Sequence, residues 1–155
     1  MRRLYIILLT IAVVSAISVA VMVFLVPDHR GELRTDLVVG DYYELKTMNH
    51  GSVVYTVKEI DGDTLSVEVS SNQATNIVQM TRESFLKRIH MSPGDDDTEI
   101  IGRTIMKTEF GDRVCSVLQN RHLLSAYWVD ANGIIYETYA GGSVTLLTRT
   151  SLIIK

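Results

Sequence analysis

The sequence predicts a mainly β protein: an N-terminal transmembrane helix, then one antiparallel β-meander domain with one short helix. Three observations carry this prediction. Leu4 to Val26 is an apolar run without a single charge. Beyond residue 38, apolar residues alternate at period two in short runs punctuated by Gly, Asn and Asp. One external segment, Thr81–Ile89, has helical spacing instead. A half-barrel, a barrel and a sandwich all fit such a series of hairpins.

As a helix the Leu4–Val26 run is about 35 Å long, enough to cross a hydrocarbon core of about 30 Å. Ser18-Val19-Ala20 resembles a signal-peptidase site, but the apolar run continues to Val26. Cleavage there would leave six exposed hydrophobes at the new terminus, so an uncleaved signal anchor is expected. Cys115 is the only cysteine, which removes a lipobox. Arg2 and Arg3 precede the run, while Asp28, Arg30, Glu32, Arg34 and Asp36 follow it with no net positive charge. The positive-inside rule then predicts a single-pass cell-membrane protein with a cytoplasmic N-terminus and an external C-terminal domain. Ala12, Ala16 and Ala20 share one helix face, a candidate helix–helix contact because small residues let backbones approach closely. The chain therefore divides into an anchor at 1–26, a linker at 27–38 and an extracytoplasmic domain at 39–155.

All eighteen acidic residues and thirteen of the fifteen basic ones lie beyond residue 26, a formal charge of −5. A mildly acidic domain without a Lys/Arg cluster is a poor nucleic-acid binder, so no nucleic-acid partner is expected. One cysteine cannot form an internal disulfide, so the domain must depend on its hydrophobic core. None of the five asparagines begins an Asn-x-Ser/Thr sequon.

The strands follow in order. Asp41–Thr47 sets Tyr43 and Leu45 against Tyr42, Glu44 and Lys46. Ser52–Ile60 is rich in Val, Tyr and Thr, which suit a pleated, half-buried surface. Asp61-Gly62-Asp63 is a tight turn. Thr64–Ser70 alternates most cleanly, with Leu65, Val67 and Val69 on the face expected to be buried. Asn76–Met80 is a short strand. Thr81 then caps a helix whose Phe85, Leu86 and Ile89 share a face. Met91–Asp97 reads as a loop broken by Pro93-Gly94. Glu99–Glu109, Arg113–Gln119, Leu123–Asp130, Ile134–Ala140 and Ser143–Ile154 complete the series. Asn132-Gly133 is expected to form a type I′ turn, and Gly141-Gly142 separates the last two runs.

Within this second half, Ile101-Gly102-Arg103-Thr104-Ile105, Thr108-x-Phe110-Gly111, Cys115-Ser116-Val117, Tyr127-Trp128-Val129-Asp130 and Gly133-Ile134-Ile135-Tyr136 form a pattern. Over roughly residues 100–137 it resembles uncharacterised archaeal surface proteins that pair a β-rich domain with a membrane anchor or signal. The resemblance implies shared architecture and no activity. A looser likeness, at the level of fold alone, is to lipoprotein-carrier half-barrels, whose curved sheet holds an acyl chain.

Motifs with chemistry attached are scarce. Cys115 lies in a predicted strand without a base beside it, so a buried, inert thiol is expected. His29, His50, His90 and His122 lack zinc-ligand spacing, and no metal is expected. Asp95-Asp96-Asp97 with Glu99 is acidic enough for calcium, but Gly94 precedes the acids and the spacing is not that of an EF-hand, which leaves a solvated loop. Gly141-Gly142-Ser143 continues into Val144-Thr145 and is not a nucleophile elbow. No cofactor is implied.

Tyr127, Trp128, Tyr136 and Tyr139 concentrate aromatic area in one predicted hairpin. Some must fill the core, and the outward members form the candidate contact surface. The expected function is thus non-catalytic: an anchored external domain that binds a protein partner or an apolar ligand at the outer membrane face. An unrecognised hydrolase or carbohydrate-active enzyme is the alternative, as is an accessory subunit recruited to a membrane complex through its helix.

Overall fold

A computed structural model describes residues 31–48, 50–91 and 97–154. The predicted anchor Leu4–Val26, with Ala12, Ala16 and Ala20, lies outside the described residues. Among those described, no helix is long and apolar enough to cross a membrane.

Nine strands form one antiparallel open sheet. They are β1 (Tyr42–Thr47), β2 (Gly51–Asp61), β3 (Thr64–Ser71), β4 (Thr75–Thr81), β5 (Thr98–Thr108), β6 (Gly111–Asn120), β7 (Ser125–Val129), β8 (Ile135–Ala140) and β9 (Ser143–Thr150). The one helix among the described residues, α1, spans Arg82–Leu86. The sheet order is β4-β3-β2-β1-β9-β8-β7-β6-β5. Two meanders, β1–β4 and β5–β9, are thus joined along β1 and β9, through pairs such as Thr47 with Thr145 and Leu45 with Leu147. A sandwich of two sheets is excluded by this single continuous order.

Alternation places the core where the sequence predicts it. Leu65 and Val67 are fully buried, whereas Glu68 meets Lys58 across the neighbouring strand at 3.0 Å. Tyr43 is buried, and Leu45 packs against the same cluster. That cluster runs from Leu65 and Val67 of β3 through Tyr43 and Leu147 to Cys115 of β6, with Phe85 and Ile89 packed into it. The register carries the Leu65–Val67 face through Tyr43 and Leu45, Leu147 and Thr145, Thr138 and Tyr127 to Leu118. Cys115, three positions before Leu118 on β6, is therefore buried on the other face of the sheet. A second cluster joins Met91, Leu118, Val129 and Ile135, with Tyr127 against it.

The helix is shorter than its apolar spacing predicts. Thr81 caps it through its hydroxyl, which accepts from Ser84 N at 3.1 Å. After Leu86 the chain makes one more turn, in which Leu86 O accepts from Ile89 N and His90 N, both at 2.9 Å, and residues 89–91 then run beside the start of β8. Ile135 N donates to Ile89 O at 2.9 Å, Met91 N donates to Gly133 O at 2.8 Å, and His90 forms a bridge with Ile134. β9 pairs with β8 only from Glu137 to Ala140. The post-helix segment fills the place that β9 leaves, and this competing pairing ends the helix.

Turn chemistry departs from expectation at Asn132-Gly133. Only Gly133 has positive φ, at 79°, so the turn is not type I′. Asp130 makes the difference. Its Oδ1 accepts from Asn132 N and Ile134 N, both at 2.9 Å, while Gly133 N donates to Asp130 O at 3.1 Å. A side chain that satisfies the backbone this way favours a longer loop with glycine at its left-handed position. Both residues of Gly141-Gly142 have positive φ, 57° and 78°, so the type I′ hairpin lies there, between Ala140 and Ser143.

Residues 31–38, read from sequence as linker, pack onto the domain. Leu33 bridges Ile153, and Leu37 is buried. The Asp41 carboxylate accepts from Val38 N and from Ser151 Oγ and pairs with Arg34.

Candidate functional site

Antiparallel topology gives the sheet two ends. The N-terminal segment, the C-terminal segment and the β2–β3, β5–β6 and β7–β8 turns lie at one, called proximal here. The β1–β2, β3–β4, β6–β7 and β8–β9 connections lie at the other, distal end. The α1 segment starts beside the proximal β2–β3 turn, where Arg82 N donates to Asp63 O at 3.0 Å. It finishes beside Gly133, also proximal. It therefore covers the proximal part of one sheet face and leaves the distal part of that face open to the side.

That open part is a cleft of about 360 Å³. Leu45, Val53 and Leu147 supply aliphatic lining, and Tyr55, Tyr127 and Tyr136 supply aromatic lining. Thr47, Thr138 and Thr145 place hydroxyls along it, with Thr47 and Thr145 hydrogen-bonded at 3.2 Å. Lys87, Arg88 and Glu137 also border it. The Arg88 guanidinium lies 5.1 Å from the Tyr55 ring centroid, a cation–π contact worth about 0.5–1 kcal/mol at an exposed site. Tyr55 in turn stacks on buried Tyr43, centroids 4.9 Å apart. Burial raises the Glu137 carboxyl above the usual carboxylate range. The arrangement can take an apolar or aromatic group against the tyrosines and an acidic group beside Arg88.

Two of the four aromatics singled out from sequence, Tyr127 and Tyr136, reach this cleft. Tyr136 is 2 % exposed, and its hydroxyl donates to Asp130 Oδ2 at 3.0 Å. Its first task is structural, so it is one of the aromatics that fill the core and not an outward member. Tyr139 is exposed, and Trp128 is half-buried. The hairpin does not pair these rings with one another: Tyr139 faces Ala126, Tyr127 faces Thr138 and Trp128 faces Glu137. Leu45, Tyr55, Arg88 and the threonines were not singled out as site residues. Lys87 and Arg88 read as the polar face of a helix, and only the tertiary fold brings them to the tyrosines.

A larger cleft of about 960 Å³ lies at the proximal end. Residues of the segments before β1 and after β9, of those two strands, and Glu109, Phe110 and Arg113 line it. Between the two clefts lies a buried polar group. Asp130 accepts three hydrogen bonds, and Arg113 stacks near Tyr136. Desolvation raises the Asp130 carboxyl above its usual range, and those hydrogen bonds oppose the rise. Both of its oxygens are engaged in holding the β7–β8 turn. Among the described residues, no group of three or more His, Cys, Asp and Glu is placed to hold a metal ion.

Comparison with family models, with curated proteins and with solved structures finds no match to this chain.

Proposed function

We propose that this chain is a single-pass membrane protein whose external β domain holds a partner protein at the outer face of the membrane, without catalysis. The observation that carries the reading is the partial cover of the sheet face: α1 leaves an aromatic cleft open at the end opposite the incoming chain. Tyrosines with a polar handle, threonine hydroxyls and a stacked arginine suit a short segment bearing an apolar side chain beside a carboxylate. The anchor reading rests on the uncharged run Leu4–Val26 and on Arg2 and Arg3 before it. The non-catalytic reading rests on Asp130, whose carboxylate is committed to its own turn.

A second reading is favoured by size. A volume of about 360 Å³ falls within the range of small-ligand sites, about 300–1,000 Å³, so an apolar small molecule is the alternative occupant.

The test fills the cleft. Thr145→Trp in the full chain places a large ring over the opening. Capture from native membranes is then compared with the parent, with protein and small-molecule mass spectrometry on both. Loss of one protein from the variant, at an unchanged melting temperature, supports the partner reading. Loss of a bound small molecule transfers the site to the second reading, and unchanged capture removes the cleft from the function. Protease added to intact cells should digest the domain. A protected domain would overturn the topology.

A further inference from the structure

The turn Leu37–Gly40 is built in an unusual way. Turns favour Gly, Asn, Asp and Ser, whereas this one presents two valines to solvent, Val38 at 51 % and Val39 at 62 % exposure. It is also firmly held. The Asp41 carboxylate accepts from Val38 N at 2.7 Å, Gly40 N donates to Val57 O at 2.8 Å, and Asp41 itself is buried. Ile154, also exposed, lies at the same end, where its N donates to Glu32 O at 3.0 Å. A rigid turn that displays β-branched residues loses apolar burial in water and regains it only against an apolar surface.

The length of chain outside the described residues indicates what that surface is. Val26 ends the apolar run and Gly31 is the first described residue, at the proximal end. Five peptide steps span at most roughly 17 Å. If Leu4–Val26 crosses the bilayer, the proximal end cannot leave the vicinity of the lipid. The distal cleft then faces away from it.

We infer that the proximal end of the domain rests on the bilayer, with Val38, Val39 and Ile154 inserted into the headgroup–acyl boundary. This rests on the anchor reading above. Exposed Asp36 and the acidic balance of the domain give no attraction to anionic lipid, so the contact is apolar and zwitterionic lipid suffices. Docking orients the domain and so directs the Tyr55–Arg88 cleft toward partners outside the membrane plane.

The test uses the full chain reconstituted in phosphatidylcholine vesicles, with plain or brominated acyl chains. Tryptophan is introduced in separate variants by Val39→Trp, Ile154→Trp and, at the distal β6–β7 connection, Leu123→Trp. Trp128 of the parent is the baseline. Brominated lipid should cause a severalfold loss of the added emission in the Val39→Trp and Ile154→Trp proteins and none in the Leu123→Trp protein. Two proximal reporters guard against one that fails to fold. A chain that stays with the vesicles through an alkaline wash, yet shows no quenching at either proximal position or equal quenching at the distal one, overturns the docking inference and leaves the anchor standing. A chain that the wash releases overturns both.

Discussion

The Nε2 of His90 stands 2.6 Å from the point where a Cβ on Gly133 would lie, and Met91 O stands 2.9 Å from it. Gly133 also has φ of 79°. Gly133→Ala therefore meets two penalties: left-handed strain, and a clash with the segment that locks α1 to β8. We expect a loss of more than about 2 kcal/mol. Gly142→Ala, at φ 78° with nothing within 4 Å of its Cβ, meets strain alone and should cost less. Chemical denaturation of the two variants checks this, and equal losses would mean that the His90 contact yields freely.

Asp130 gives a separable prediction. Asp130→Ala removes the two carboxylate oxygens that accept three hydrogen bonds from buried or half-buried donors and should cost about 3 kcal/mol. Asp130→Asn keeps an acceptor for both backbone N–H groups and can donate to the Tyr136 hydroxyl, so its cost at neutral pH should stay within about 1 kcal/mol.

The same carboxyl sets a pH dependence. Desolvation raises its native pKa above the ordinary value of 3.8, so the native state takes up the proton before the unfolded chain does. This contribution to stability is full below the unfolded pKa and is lost as pH rises through the native one. Asparagine carries no such dependence. The melting-temperature difference between the parent and Asp130→Asn should therefore move in the parent's favour as pH is lowered from 7 toward 4. A difference that stays constant across that range would mean that the carboxyl is not desolvated.

Much of the sheet was legible because one-face burial writes itself as alternation. Leu65, Val67 and Val69 against Ser66, Glu68 and Ser70 can satisfy only one register. The resulting prediction contrasts neighbours. Val67→Asp buries a charge at a fully buried position and should largely unfold the domain. Glu68→Lys replaces an ion pair with two facing lysines, and at this part-exposed site the cost should stay near about 1 kcal/mol. Similar losses from both would refute the assignment of faces.

The unread part was non-local. Nothing near Ser143–Thr150 specifies that β9 joins β1, about a hundred residues away, rather than ending the meander at an edge. The Asn132-Gly133 motif was misread because Asp130, two residues before it, offers the backbone a competing hydrogen-bond partner. The distal cleft was unreadable for the same reason as the sheet order. Its lining comes from β1, β2, β7, β8, β9 and the residues after α1, and each of these segments alone looks like ordinary strand or helix surface.

The two edges of the sheet are protected unequally. β5 carries Glu99, Arg103 and Lys107 and a register shift between Ile100 and Gly102, all features that discourage another strand from adding on. β4 reads Thr75-Asn76-Ile77-Val78-Gln79-Met80-Thr81, with no charge and no proline, and Ile77 is 66 % exposed. Such a segment meets the compositional criteria for strand addition and aggregation. Ile77→Lys should leave the melting temperature nearly unchanged, since an exposed edge position contributes within about 0.5 kcal/mol. It should also slow aggregation on heating, as followed by light scattering. Ile105→Lys on the already charged β5 edge should slow it much less. If the two lysine variants aggregate alike, the β4 edge is not the route by which the chains meet.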